Sequence, residues 1–124
     1  MYFMKEIEHQ IQKSIAQYLD FRGFCWWAVP NGGRRNVVVA KKLKAEGVKW
    51  GVPDITLIHN GKYYGIEVKK PKTITPKGVL SSNQKARIAE IEDSGAVVGV
   101  VYSVPDLIEM LEKWGISWVP HPKQ

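Results

Sequence analysis

Asn60-Gly61 stands between two apolar runs, residues 55–59 and 62–69. Asn-Gly in that setting is the strongest short-range signal of a β-hairpin, because a type I′ turn needs positive φ at both central positions. With a two-residue loop, His59 faces Lys62, and the rest of the register follows from it. Ile55 faces Ile66 and Leu57 faces Tyr64; with Val68 they make one apolar face. On the other face Thr56 meets Gly65, and Asp54 meets Glu67. Side chains alternate along a strand, so Lys69 points the same way as Glu67. A slip of one residue would send the two acids to opposite faces, so the polar face depends on the turn.

Opposed cross-strand residues have Cβ atoms about 4.5–5.5 Å apart, and like charges so placed destabilise a sheet. A divalent cation between Asp54 and Glu67 would account for the pair. Hard cations such as Mg²⁺ take oxygen ligands, typically one or two carboxylates with water and phosphate oxygens. Gly65, beside the acids, is expected to leave open space for a phosphate. Lys69 is expected to face the scissile phosphate or the attacking water and to stabilise developing negative charge.

The charge distribution points to the same class of substrate. The chain has 124 residues and a net charge of +6, and residues 21–86 hold 13 basic groups against three acids, Glu46, Asp54 and Glu67. Such a concentrated positive field suits a polyanion, and nucleic acid is the commonest one in a cell. The length fits a single domain over 1–124. The single cysteine, Cys25, excludes an internal disulfide and fits a reducing compartment; its apolar neighbours suggest a buried packing residue. The start of the chain lacks signal-peptide character, and no stretch approaches the ~18 apolar residues of a membrane span. A soluble, intracellular, cytoplasmic protein is expected. There is no P-loop, Rossmann fingerprint or G-x-S-x-G, hence no nucleotide cofactor and no serine chemistry. His9, His59 and His121 lack zinc-ligand spacing.

Along the chain, residues 4–21 predict an amphipathic helix, with Met4, Ile7, Ile11, Ile15, Tyr18 and Leu19 at helical spacing. Residues 24–29 suggest a buried strand, and 36–46 a basic helix capped by Asn36. After the hairpin, 70–80 reads as a polar loop and 82–93 as a helix. Residues 96–102 suggest a strand buried on both faces. A last helix runs from Ser103, in a variant capping box with Asp106, to Trp114. The tail around Trp118 is expected to pack as an edge strand. Trp50 reads as core, with stacking on an unpaired base as the other possibility; Trp114 and Trp118 are expected to be exposed. The order α-β-(α)-β-β-α-β-α predicts an α/β domain, a mixed sheet flanked by helices.

Pro53-Asp54 … Glu67-x-Lys69 has the form PD-(D/E)xK, a string of low specificity by itself. Set among a glutamate on the first helix, Asn31-Gly32, Gly51-Val52-Pro53-Asp54, Gly65-Ile66-Glu67-Val68-Lys69-Lys70 and Gln84 at a helix start, it resembles the VRR-NUC domain. That domain is the virus-type replication and repair branch of the PD-(D/E)xK nucleases. The matching features run from residue 8 to 84, and the later strand and helix also fit. The resemblance implies a restriction-endonuclease-like core and a Mg²⁺- or Mn²⁺-dependent DNA endonuclease. Stand-alone, virus-sized members look like homodimers acting on branched DNA, including Holliday junctions, in replication, repair and recombination; a phage-like origin fits that group. By position, Asp54 and Glu67 would be metal ligands with the Val68 carbonyl, Lys69 the catalytic lysine, and Gln84 an orienting residue.

The helix acid that the resemblance implies as a further metal ligand, beside Asp54 and Glu67, is Glu6 or Glu8. At 100° per residue Glu8 lies about 60° from the centre of the apolar stripe and Glu6 about 140°, which favours Glu8. Ser81-x-x-Gln84 is also a capping box, and that role and the site role are compatible. Arg34, Arg35, Lys41, Lys42 and Lys44 are the main candidates for DNA backbone contacts, helped by Lys70, Lys72, Lys77 and Lys85. The rival reading is a non-catalytic DNA-binding module with the same fold.

Overall fold

The computed structural model describes residues 2–30, 36–71 and 79–116, apart from the side chains of residues 2–5. The elements are α1 (Tyr2–Arg22), β1 (Cys25–Ala28), α2 (Val37–Ala45), β2 (Ile55–His59), β3 (Lys62–Val68), α3 (Ser82–Asp93), β4 (Val97–Val101) and α4 (Val104–Lys113). The strands form one sheet in the order β1-β2-β3-β4. The first two pairings are antiparallel and β3–β4 is parallel. This is the expected α/β architecture with a mixed sheet.

Asn60 has a φ of 52° and Gly61 of 77°, as a type I′ turn requires. The register follows the turn: Ile55 pairs with Ile66, Thr56 with Gly65, Leu57 with Tyr64 and His59 with Lys62. Ile55, Leu57, Tyr64, Ile66 and Val68 are buried together with Ile15 and Leu19 of α1 and Leu107 and Leu111 of α4. Each fully buried aliphatic side chain of this kind contributes about 1.5–3 kcal/mol. Gly99 pairs with Ile66, and a Cβ there would meet Met110 of α4 and Trp114, its C-cap. Thus α4, with α1, covers the Ile66 face. Glu67 points to the opposite face, where α3 packs on β4 and sends Gln84 to it.

The structure corrects four expectations, three of them drawn from apolar runs. β1 is an edge strand rather than a buried one, and Cys25 is exposed. Trp26 packs against the core and its Nε1 donates to Asp20 Oδ1 at 2.8 Å, whereas Trp27 is 51% exposed. β4 is the other edge, and four of its five residues are only half-buried. Trp114 is not an exposed aromatic: it is half-buried against the core, its ring 5.0 Å from that of Tyr64. Hydrophobic runs report burial in general; they do not say which strand ends up at an edge. The expected edge strand around Trp118 falls outside the described residues, as do Arg34, Arg35, Lys72 and Lys77.

The caps are as the sequence suggests. Asn36 Oδ1 accepts from Val39 N at 2.8 Å, and Ser103 Oγ accepts from Asp106 N at 3.1 Å. Asp106 in turn accepts from Tyr102 N, one residue before the cap, at 3.0 Å. No helix among the described residues is long and apolar enough to cross a membrane.

Candidate active site

The site forms at the C-terminal end of β3, where the chain leaves the sheet before crossing over to α3. Strand ends of this kind are where open α/β sheets gather polar groups, because backbone and helix termini there are left without sheet partners. Asp54 sits one residue before β2, after the buried Pro53. Its backbone carbonyl accepts from Val29 N at 2.7 Å, and its Oδ2 accepts from Val68 N at 2.8 Å. Asp54 is thus locked to the strands on both sides of β2. Lys69 N donates to Val101 O at 3.0 Å, which carries the β3–β4 ladder one residue past the strand.

Glu67 is 1% exposed. Its Oε2 accepts from Gln84 Nε2 at 2.8 Å and lies 3.7 Å from Lys69 Nζ. Its Oε1 is buried with no hydrogen-bond partner. Burial pushes the Glu67 carboxyl up to about 8, the neighbouring Asp54 carboxylate adds to the rise, and Lys69 opposes it. An acid held neutral by its surroundings, beside a second carboxylate, is a common mark of a functional site.

Gln84 performs two tasks with one amide. Ser81 Oγ accepts from Gln84 N at 3.1 Å, and Gln84 Oε1 accepts from Ser81 N at 2.8 Å, which completes the capping box of α3. With its oxygen committed to the cap, the amide presents its NH₂ to Glu67. Such a donor favours the ionised carboxylate.

Glu8 reaches the same strand end from α1: its Oε2 accepts from Lys70 N at 3.2 Å. Glu6 instead accepts from Gln10 Nε2 at 3.0 Å on its own helix. Of the two acids, Glu8 is therefore the one placed beside the site. It is engaged by backbone, however, and among the described residues no three His, Cys, Asp or Glu side chains gather as a metal-binding group. The geometry explains this: α1 lies on the Ile66 face and Glu67 points to the other.

Two expectations are corrected. The space over Gly65 is not open to a phosphate, because a Cβ there would meet the Pro53 ring at 2.7 Å and the Tyr63 hydroxyl at 3.0 Å. The glycine is needed for packing. Lys70 is 4% exposed and so is not offered to a DNA backbone. By contrast Lys41, Lys42, Lys44 and Lys85 are exposed; the first three lie on α2, which buries no residue.

A hard divalent cation fits the pair. The orphaned buried oxygen of Glu67 lacks a ligand, and the proton it holds near neutral pH is what a cation would displace. Asp54 and Glu67 would be the side-chain ligands, leaving other positions for water and phosphate oxygens.

The contact between the Gly51 turn and α3 is one that sequence reasoning missed. Gly51 has a φ of 84°, and a Cβ there would lie 2.6 Å from the Asn83 carbonyl oxygen. Only glycine allows that approach. Arg87 Nε donates to Trp50 O at 3.3 Å and braces the same turn. Trp50, expected in the core, is 36% exposed. The contact joins positions some thirty residues apart, and the positive φ that demands glycine leaves no periodic signal.

A larger cavity, about 520 Å³, lies between α1 and α4, lined by Tyr18, Arg22, Ile108 and Leu111 among others. It contains none of the acids discussed and is no rival to the strand-end site. In comparisons with known proteins, the model of the VRR-NUC domain matches residues 7–105. No curated protein and no solved structure matches the chain.

Proposed function

The chain belongs to the VRR-NUC domain family, a nuclease family with a restriction-endonuclease-like fold that takes DNA as substrate; on that basis we propose that it is a Mg²⁺- or Mn²⁺-dependent endonuclease that cuts branched DNA. The observation that carries this reading is the buried Glu67 carboxyl with an unpartnered oxygen, beside Asp54 and 3.7 Å from Lys69 Nζ. Asp54 and Glu67 would hold the cation, with the Val68 carbonyl as a further oxygen donor at the same strand end; Glu8, on the other face, would brace that end through Lys70 N. When bound, it would polarise the scissile phosphate and acidify the attacking water.

The protein's own groups divide the remaining work. Lys69, its side chain only 13% exposed, brings a positive charge to the place where phosphate charge develops. Gln84 donates to Glu67 and holds its carboxylate in one orientation. The α2 lysines Lys41, Lys42 and Lys44, with Lys85, provide backbone contacts that read charge rather than sequence. Arg34, Arg35 and Lys72 extend that basic segment in the sequence. One chain offers one site, and a two-fold homodimer would supply the second needed to cut two strands.

The test is cleavage of labelled four-way junction, flap and blunt duplex DNA in Mg²⁺, in Mn²⁺ and in EDTA. Cutting is expected in either metal, absent in EDTA and faster on the branched substrates. Tight, salt-sensitive binding with no cutting in either metal would leave a DNA-binding module and end the enzyme reading.

A further inference from the structure

An open cleft of about 220 Å³ lies next to the strand-end site, lined by Trp50, Gly51, Val52, Ser81, Asn83 and Gln84. Gln84 forms part of its wall and at the same time donates to Glu67. The cleft is therefore one side chain away from the carboxylates. We infer that this cleft receives a single unpaired nucleobase, stacked on Trp50, and so makes Trp50 a specificity-determining residue for branched over fully paired DNA. The inference rests on the nuclease reading and narrows its substrate to DNA with an unpaired nucleotide beside the cut.

Four observations converge on a base. The cleft is smaller than the roughly 300 Å³ at which drug-sized ligand sites begin, which suits one planar ring system. One wall carries the largest aromatic side chain, and every base has a face that stacks on such a ring without regard to sequence. The lining is also polar: Ser81, Asn83 and Gln84, at the start of α3, offer hydrogen-bonding groups for the edge of a base. The segment leading to Trp50 is basic and exposed, with Lys41, Lys42 and Lys44 of α2 and then Lys49.

The backbone that carries the ring is also held in place. The close approach of Gly51 to the Asn83 carbonyl and the Arg87 bond to Trp50 O fix the turn against the first part of α3. A fixed turn leaves only the side-chain torsions of Trp50 to be ordered on binding, and pre-organisation of that kind raises affinity. A tryptophan needed only for packing would sit under the turn. This one is a third exposed and lines an open cleft.

The experiment is equilibrium binding in EDTA, where no cutting occurs, to a flap duplex with a thymidine arm and to the matching blunt duplex. Wild type, Trp50→Ala and Trp50→Phe are compared, and 2-aminopurine at the branch nucleotide reports stacking by its quenching. Wild type is expected to prefer the flap and to quench the probe. Trp50→Ala should bind the flap roughly 5- to 150-fold more weakly, lose the quenching and keep its duplex affinity. Trp50→Phe should retain most of the preference. Equal weakening on both DNAs would make Trp50 a support of the fold, and a flap preference intact in Trp50→Ala would place the base elsewhere; either overturns the inference. So would a wild type that does not discriminate between the two DNAs, while metal-dependent cutting would still uphold the nuclease reading. Failure to bind either DNA in EDTA would overturn the inference, and the nuclease reading would then stand or fall on cutting in Mg²⁺ or Mn²⁺.

Discussion

Replacing Lys69 with alanine is expected to slow DNA cleavage by about 10²–10³-fold while leaving DNA affinity in EDTA within roughly two-fold, the usual consequence of removing one group that stabilises transition-state charge. The two effects separate because Lys69 is nearly buried and aimed at Glu67, whereas backbone binding is spread over the exposed lysines of α2 and Lys85. Lys69 also opposes the rise of the Glu67 carboxyl. Its removal should therefore move the acid limb of the rate profile to higher pH as well as lowering the maximum. Rate profiles of wild type and Lys69→Ala, measured at saturating DNA, would reveal both changes. A variant that cuts within a few-fold of wild type at every pH would mean that Lys69 is only a structural partner of Glu67.

The metal-free protein is expected to lose stability as pH rises from 5 to 8.5, and Glu67→Gln is expected to abolish most of that loss. Burial first, then Asp54, raises the Glu67 carboxyl from its ordinary 4.5 to about 8. A group whose folded pKa exceeds its unfolded value binds protons more tightly when folded. Its contribution to stability is complete below the unfolded pKa and is lost as pH climbs through the folded one. The loss is on the order of a few kcal/mol and follows the Glu67 carboxyl. Denaturant unfolding in EDTA across this range would measure the slopes. Added Mn²⁺ should stabilise wild type more at pH 8.5 than at pH 5, because the cation competes with the proton at Glu67. Equal slopes in wild type and Glu67→Gln would place the pH dependence elsewhere.

Much of this site was legible because it rests on a two-residue turn. Asn60-Gly61 fixed the register, the register paired Asp54 with Glu67, and alternation brought Lys69 to the same side. The capping box located Gln84, and the helical stripe separated Glu8 from Glu6. What escaped sequence reasoning was tertiary. An apolar run does not distinguish an edge strand from a central one, so β1, β4 and Cys25 were expected to be more deeply buried than they are. A glycine does not announce whether it opens space or is packed over, and Gly65 is packed over by Pro53. A lysine in a basic run is not thereby exposed; Lys70 is buried. The turn of Trp50 and Gly51 meets α3 through backbone contacts that no periodic pattern encodes.

Asp54 and Glu67 are expected to form one cation site, which calorimetric titration of the DNA-free protein with Mn²⁺ at pH 7 would detect. In buffers of different ionisation enthalpy, wild type should bind Mn²⁺ with release of protons, and Asp54→Ala/Glu67→Ala should not bind it. Equal binding by wild type and the double variant would place the cation elsewhere, as would metal-dependent cleavage that survives in that variant.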